Sequence, residues 1–475
     1  MVGRMKRSIW RRILQPCWLT PATVFVIAFL GYPALAVPSR PASPASIIGA
    51  PFKSSRPSDS AAPSPVRVRV RLNEADSRVR IRGFDLHIYD ESREARDRKK
   101  LVTVMNRQTE WEFRCQDGRI RATRLDSVQS LDLKEPVSIT TPTGFLNYAG
   151  RPYREEIRIY SAGSFCEIVN HVEIEKYLEG LVNAEFSSRW NEEAIVAQVV
   201  AARTYAYYQI LQARLDSAGT PREALRVISK NEAIQALRSE SRSHFDLDAT
   251  VWDQVYDGSI REDFRATKAV AKSRGLVLTV PGKAAVPVKA FYHSTCGGIT
   301  ELPENVWGRA YPGFKRSVRC PFCVSSPQYR WQSDFSISEL ARVFRIGAKA
   351  DGRIPGWPKN GLAIVRRGAL LDLQVLRRDF QGRVLEMASI WSDGKKTVGL
   401  KLSGARFRAW VGAAKIKSTA FHVAGREQGF RIVGRGFGHG VGMCQWGAKI
   451  MGDRGYATAA ILKHYYPDAI LRKLW

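Results

Sequence analysis

Acidic residues are in short supply in this chain. Its 475 residues hold 45 Asp and Glu against 74 Lys and Arg, a formal net charge of +29, and such an excess calls for an anionic partner. No internal repeat stands out, which argues against a repeat array. Cysteine is scarce, seven in all. Long apolar runs are confined to one place near the start, Trp18 to Ala36. What the chain does not lack is core material. Apolar residues make up 44%, enough for a sizeable interior and unlike a disordered chain. The length allows two or three domains, or one elaborated domain.

Met1–Arg12 carries five Lys or Arg residues, and the apolar run behind it closes on Ala34-Leu35-Ala36, the small-residue spacing of a signal-peptidase site. Residues 1–36 therefore read as an export signal or, left uncleaved, as a membrane anchor interrupted by Pro21, Gly31 and Pro33. Residues 37–64 are rich in Pro, Ser and Ala and read as a spacer. Either way the rest of the chain is expected outside the cytoplasm, periplasmic or in the cell envelope. Chromosomal DNA is absent there, so nucleic acid is not the expected partner. Anionic envelope polymers or lipid surfaces are.

From residue 65 to about 160, period-two runs such as Val66-Arg67-Val68-Arg69-Val70-Arg71 predict a β-rich module with one wet, basic face. The stretch Val169–Tyr208 predicts helix, loop, helix, with Glu185 just before the break at Phe186–Trp190. Asn191 is an N-cap candidate there, and Glu192 and Glu193 favour the first turn of the second helix. A carboxylate at such a junction can face a cleft while two rigid elements hold it, as a general acid requires. Glu175 is expected on the exposed side of the first helix. A charged helical segment, about 212–250, reads as an insertion. Ala266–Ala271 predicts a short helix, and Gly275–Val280 with Val286–Tyr292 a hairpin. Phe335–Phe344 predicts a helix capped by Ser336 or Ser338; LAIVRR, LLDLQVLRRD, RVLEMASIW and TVGLKL predict strands. The fold class is α+β, rich in antiparallel strands.

His293-Ser-Thr-Cys296 followed by Cys320-Pro-Phe-Cys323 offers four ligands for a closed tetrahedral zinc site, with no open position for activated water. Disulfides are the alternative in an exported protein. With Cys17 removed in a signal, Cys115 and Cys166 could pair, leaving Cys444 over. Near the C-terminus Gly434, Gly436, Gly438, Gly440 and Gly442 alternate with larger residues. In an extended chain this leaves one face of bare backbone on which another chain or a flat ligand, such as a sugar ring, can lie. The spacing is not that of a phosphate loop. His439 is the titratable group of this ladder, and Gln445 and Trp446 open the helix behind it.

An ordered set of motifs resembles the sporulation stage II protein D (SpoIID/LytB) family. It comprises Val169–Asn170, Glu175, Tyr177–Leu178, Gly180, Val182, Glu185, Ala197–Gln198 and Ala201–Ala206. FYHSTCGGITE follows at Phe291–Glu301, VWG at Val306–Gly308, FRAWVG at Phe407–Gly412 and KSTAF at Lys417–Phe421. GRGFGHGVGMCQWGA at Gly434–Ala448 and HYYP at His464–Pro467 close it. Asn183 and Phe186-Ser187-Ser188 depart from the usual pattern around the acid. The resemblance implies a catalytic region over 161–475 and a peptidoglycan lytic transglycosylase acting on glycan strands freed of stem peptides. Glu185 would be the general acid and base, with Gln198, Arg203, Tyr205, Gly436, Gly438, His439, Gly440 and Gln445 lining the substrate site. Zinc in some members supports the His293, Cys296, Cys320, Cys323 set. The resemblance also implies a cell-wall amidase as partner, and the non-catalytic alternatives of amidase enhancer or glycan binder.

Overall fold

The computed structural model describes residues 65–73, 76–90, 100–103, 107–217, 243–282 and 286–475. The leader and spacer expected over 1–64, and the centre of the insertion at 218–242, lie outside the described residues.

The alternating runs form β1 (Arg67–Arg71), β2 (Val79–Phe84), β3 (His87–Asp90), β4 (Lys100–Thr103), β5 (Gln108–Gln116), β6 (Arg119–Arg124), β7 (Ser130–Lys134), β8 (Val137–Tyr148), β9 (Arg151–Ala162) and β10 (Phe165–Glu173). With β11 (Leu247–Asp248) they make an 11-stranded sheet, ordered β11-β1-β10-β9-β8-β2-β5-β6-β7, with β3 and β4 branching from β8. The pairing is antiparallel except where β11 lies parallel to β1. Val68 and Val70 are fully buried, as the alternation requires. The other face of β1 is drier than expected. β11 brings Asp246 and Asp248 over it, and Arg69 and Arg71 each pair with one at 2.6 Å. Cys115 on β5 and Cys166 on β10 form a disulfide with Cα atoms 5.3 Å apart and a sequence separation of 51. In the chain-entropy picture a loop of that length stabilises by about 4 kcal/mol.

β10 runs directly into α1 (Ile174–Glu185). Val169–Glu173, expected to be helical, are strand residues paired with β1, and the β-branched Val169 and Val172 suit that pleated, two-sided burial. α2 (Glu192–Ser217) starts behind Asn191, whose Oδ1 accepts from the Glu193 N–H at 2.9 Å. Its buried Ala197, Ala201, Ala202 and Ala206 let neighbouring elements approach closely, so α2 packs against α1 and much that follows. α3 (Phe264–Lys272) is capped by Asp263.

After β12 (Leu276–Thr279), β13 (Tyr292–His293) and α4 (Pro303–Trp307) the chain builds a second core. Its elements are β14 (Arg330–Ser336), α5 (Ile337–Asp351), α6 (Gly361–Arg367), β15 (Ala369–Arg378), β16 (Val384–Ser392), β17 (Thr397–Ser403), α7 (Gly404–Val411), β18 (Phe421–Arg426) and β19 (Gly429–Arg435). Two three-stranded sheets, β14-β19-β18 and β15-β16-β17, enclose Phe344, Trp391, Phe407 and Trp410. Ser336 caps α5, accepting from the Glu339 N–H at 3.1 Å. LAIVRR, expected to be a strand, lies in α6: Ile364 and Val365 turn inward while Arg366 and Arg367 occupy the last turn, where the helix dipole favours cations.

The chain then returns to the first core through β20 (Met443–Cys444), α8 (Gln445–Asp453), α9 (Thr458–Tyr465) and β21 (Ile470–Lys473). β20 pairs with β13, and β21 pairs with β12. The hairpin expected over 275–292 is reduced to a few bonds between Leu278–Val280 and Val286–Val288, because β21 takes the other edge of β12.

Candidate functional site

Glu185 is the last residue of α1, and its chain direction changes sharply at Phe186, which is extended. The residue as a whole keeps partial contact with solvent. Desolvation by the surrounding protein is nevertheless the dominant influence and pushes its carboxyl up to about 7 from the ordinary 4.5. A single backbone hydrogen bond opposes it, the Val255 N–H donating to Oε1 at 2.5 Å. Among the described residues no Lys, Arg or His forms an ion pair with it. Its neighbours are phenols. The charge of Glu185 helps hold Tyr177, Tyr205 and Tyr292 protonated, behind burial as the main cause.

Three of the expected site residues meet around this helix end. The Gln445 amide donates to the Glu185 carbonyl at 3.1 Å and lies 3.5 Å from Gln198 Oε1. Gln198 is fully buried and its Nε2 has no partner among the described residues, an unspent donor in the wall of the site. Tyr205 donates to Asp253 Oδ1 at 2.8 Å. Arg203 is elsewhere. It is fully buried, bonded to Glu175 at 2.6 and 3.1 Å, with Ser273 Oγ and the carbonyl of Leu276 completing its fork. Glu175 is correspondingly buried, not exposed as expected, because the opposite flank of α1 is covered by α2 and α3. A buried guanidinium without that carboxylate would be costly, so this pair is part of the frame.

The glycine ladder is not an extended strand beyond β19. Gly436, Gly438, Gly440 and Gly442 all have positive φ, and the chain coils across the FYHSTCGG segment. A Cβ at Gly436 would lie 2.6 Å from the Thr295 carbonyl, one at Gly438 2.9 Å from the His293 Cβ, and one at Gly440 2.3 Å from Arg383. The close approach that glycine permits is taken up by this chain's own residues, and no bare floor is left for a ligand. His439 is half-buried within that coil. Its Nδ1 accepts from the Val441 N–H at 3.0 Å, and its ring packs 5.1 Å from Trp307 and 6.0 Å from Phe291. Burial, with His293 and two nearby arginines, drives its pKa well below the usual value, so the ring is neutral.

Four sulfurs converge beside this coil. Cys296, Cys320, Cys323 and Cys444 are all buried, with their Sγ atoms within 4.8 Å of one another. This is a set that could bind a structural zinc. The fourth member is Cys444, not the expected His293. β20 pairs with β13 in a register that sets Cys444 opposite His293, and the imidazole turns to the Val441 carbonyl at 3.1 Å. The cluster abuts the acid's surroundings through one peptide bond, since Cys444 precedes Gln445.

Sequence reasoning passed over several residues of this site. Gln254 is fully buried, accepting from the Tyr177 hydroxyl at 3.0 Å and donating to the Tyr292 hydroxyl at 3.0 Å. Val255 contributes only its backbone, which no side-chain pattern reveals. The run Asp253-Gln254-Val255-Tyr256-Asp257-Gly258 is the available signal. A separate cavity of about 720 Å³, lined by Asp334, Arg426 and Phe430 among others, belongs to the second core.

With this geometry in view, residues 163–280 match the family model described as Stage II sporulation protein, SpoIID. Over this stretch the chain is similar to the SpoIID family. Residues 323–442 match a second model, a domain of unknown function (DUF8618), and this stretch coincides closely with the second core. Stage II sporulation protein D of Bacillus amyloliquefaciens is 28% identical over 63% of this chain and 74% of its own length. Its counterpart in Bacillus subtilis is 26% identical over 64% and 78%. The amidase enhancer of Bacillus subtilis is 26% identical over 62% of this chain and 40% of its own length. The similarity to the SpoIID family points to a cell-wall protein of the envelope. No helix among the described residues is long and apolar enough to cross a membrane.

Proposed function

We propose that this SpoIID-like protein is a peptidoglycan lytic transglycosylase with Glu185 as its single proton carrier. The observation that carries the reading is a carboxyl without an ion-pair partner among the described residues, desolvated to a pKa of about 7, at a helix end that keeps contact with solvent. As the acid it protonates the glycosidic oxygen between N-acetylmuramic acid and N-acetylglucosamine. As the resulting carboxylate it takes the proton of the muramic 6-hydroxyl, whose oxygen closes on C1 to give a 1,6-anhydro end. One carboxyl serves both steps, so no second carboxylate at hydrolase spacing is required. The Val255 N–H stabilises the ionised form between steps without abolishing its basicity. The Gln445 amide holds the helix end through the Glu185 carbonyl, with the Gln198 amide oxygen 3.5 Å from the same donor.

The four cysteines suit a structural zinc, which would tie the Cys296 and Cys320–Cys323 loops to the start of α8 and leave no open coordination position. Export and an anionic wall polymer agree with the charge of +29. A glycan stripped of stem peptides bears a lactyl carboxylate on each muramic acid, so binding should weaken with salt. The relative named amidase enhancer supports a second reading, stimulation of a cell-wall amidase without cleavage.

Purified protein incubated with amidase-treated and untreated sacculi, with products analysed by mass, separates the two. Anhydro-ended fragments chiefly from treated material, lost in Glu185→Gln by a factor of roughly 10² or more, are expected. Retention of the cellular effect by Glu185→Gln would instead leave the enhancer.

A further inference from the structure

An aromatic and cationic surface adjoins the acid pocket and takes no part in the proton chemistry. Trp307, at the end of α4, is 44% exposed and stacks on Phe291 with centroids 4.4 Å apart and planes 24° apart. Phe291 also packs on Tyr205 at 6.0 Å, the phenol that feels the Glu185 charge. Lys289, partly exposed, carries its ammonium over the rings of Tyr205, Phe291 and Tyr311 at 5.4, 5.4 and 5.6 Å. The lysine and the tryptophan therefore both lie against one phenylalanine.

From this arrangement, and resting on the glycan-strand reading above, we propose that Trp307 and Lys289 form a subsite for a sugar ring bearing a carboxylate substituent. Trp307 offers a rigid, half-exposed face whose orientation is fixed by Phe291 beneath and His439 alongside. Such a face suits the apolar C–H side of a pyranose, and it loses little conformational entropy on contact. Lys289 supplies the charge. Its ammonium lies over aromatic rings that position it before a ligand arrives, and a carboxylate reaching it gains a charge-assisted hydrogen bond. Sugars with a carboxylate-bearing ether then bind better than the same backbone without one. That distinguishes a denuded muramyl glycan from a plain N-acetylglucosamine polymer.

The test uses the full exported chain in a Glu185→Gln background, so that binding is read without cleavage. Three probes are titrated: a soluble muramyl glycan with free lactyl carboxylates, the same glycan with those groups converted to methylamides, and chitotetraose. Lys289→Gln is expected to weaken the carboxylate glycan about tenfold and leave the other two unchanged, with Lys289→Arg restoring most of the loss. Trp307→Ala should weaken all three. Equal loss on the neutral probes in Lys289→Gln, or no loss on any, overturns the subsite. If sacculi yield no anhydro ends while this binding pattern holds, the transglycosylase reading falls and the subsite stands.

Discussion

The two ends of α1 treat the same side chain in opposite ways. At the first turn Glu175 meets the fully buried Arg203, with the Trp475 indole and the Gly275 N–H also donating to it. At the last turn Glu185 meets one backbone N–H and a ring of phenols. Burial alone does not decide what a carboxylate does. What decides is whether a cation and several donors accompany it into the interior, and here one end is sealed and the other is left with a labile proton.

That contrast can be broken at the sealed end first. Arg203→Met leaves Glu175 charged and buried without its partner, and should cost about 3–5 kcal/mol in denaturant unfolding. Glu175→Gln should cost a comparable amount, and the Glu175→Gln, Arg203→Met double variant less than the sum. Stability of Glu185→Gln should behave in the opposite sense. The folded carboxyl titrates near 7 against an ordinary 4.5, so the stability it contributes as a neutral acid is full below 4.5 and is lost as pH rises towards 7. The melting temperature of Glu185→Gln should therefore gain on the parent across that window and hold the gain above it. In the parent, cleavage limited by the acid step should fall as pH climbs through 7. A smaller effect sharpens the picture at the sulfurs. Replacing Cys444 by Ser should lower metal content, measured by mass spectrometry, and melting temperature together. His293→Ala should leave the metal content unchanged.

The sequence made the helix pair readable because its signals are local: Asn191 as a cap, acidic residues in the first turn, alanines at contact positions. The acid at the junction followed from the same pattern. What could not be read was everything set by distant pairing. Cys444 joins Cys296 only because β20 lies beside β13, and a lone cysteine far along the chain carries no spacing signal. Nothing local announces that Arg203 and Trp475 will cover Glu175. On an extended backbone the alternation of glycines would make an open face. With φ positive at Gly436, Gly438, Gly440 and Gly442 the same alternation becomes a coil that clasps the preceding loop.

The adjacency of Cys444 and Gln445 has a consequence for how this protein fails. The sulfur that completes the thiol cluster and the amide that steadies the end of α1 are successive residues on one short strand-to-helix turn. Oxidative damage to the cysteines would thus be felt at the Glu185 carboxyl without any oxidant reaching it, and the glycan cutting proposed above should fade before the protein melts.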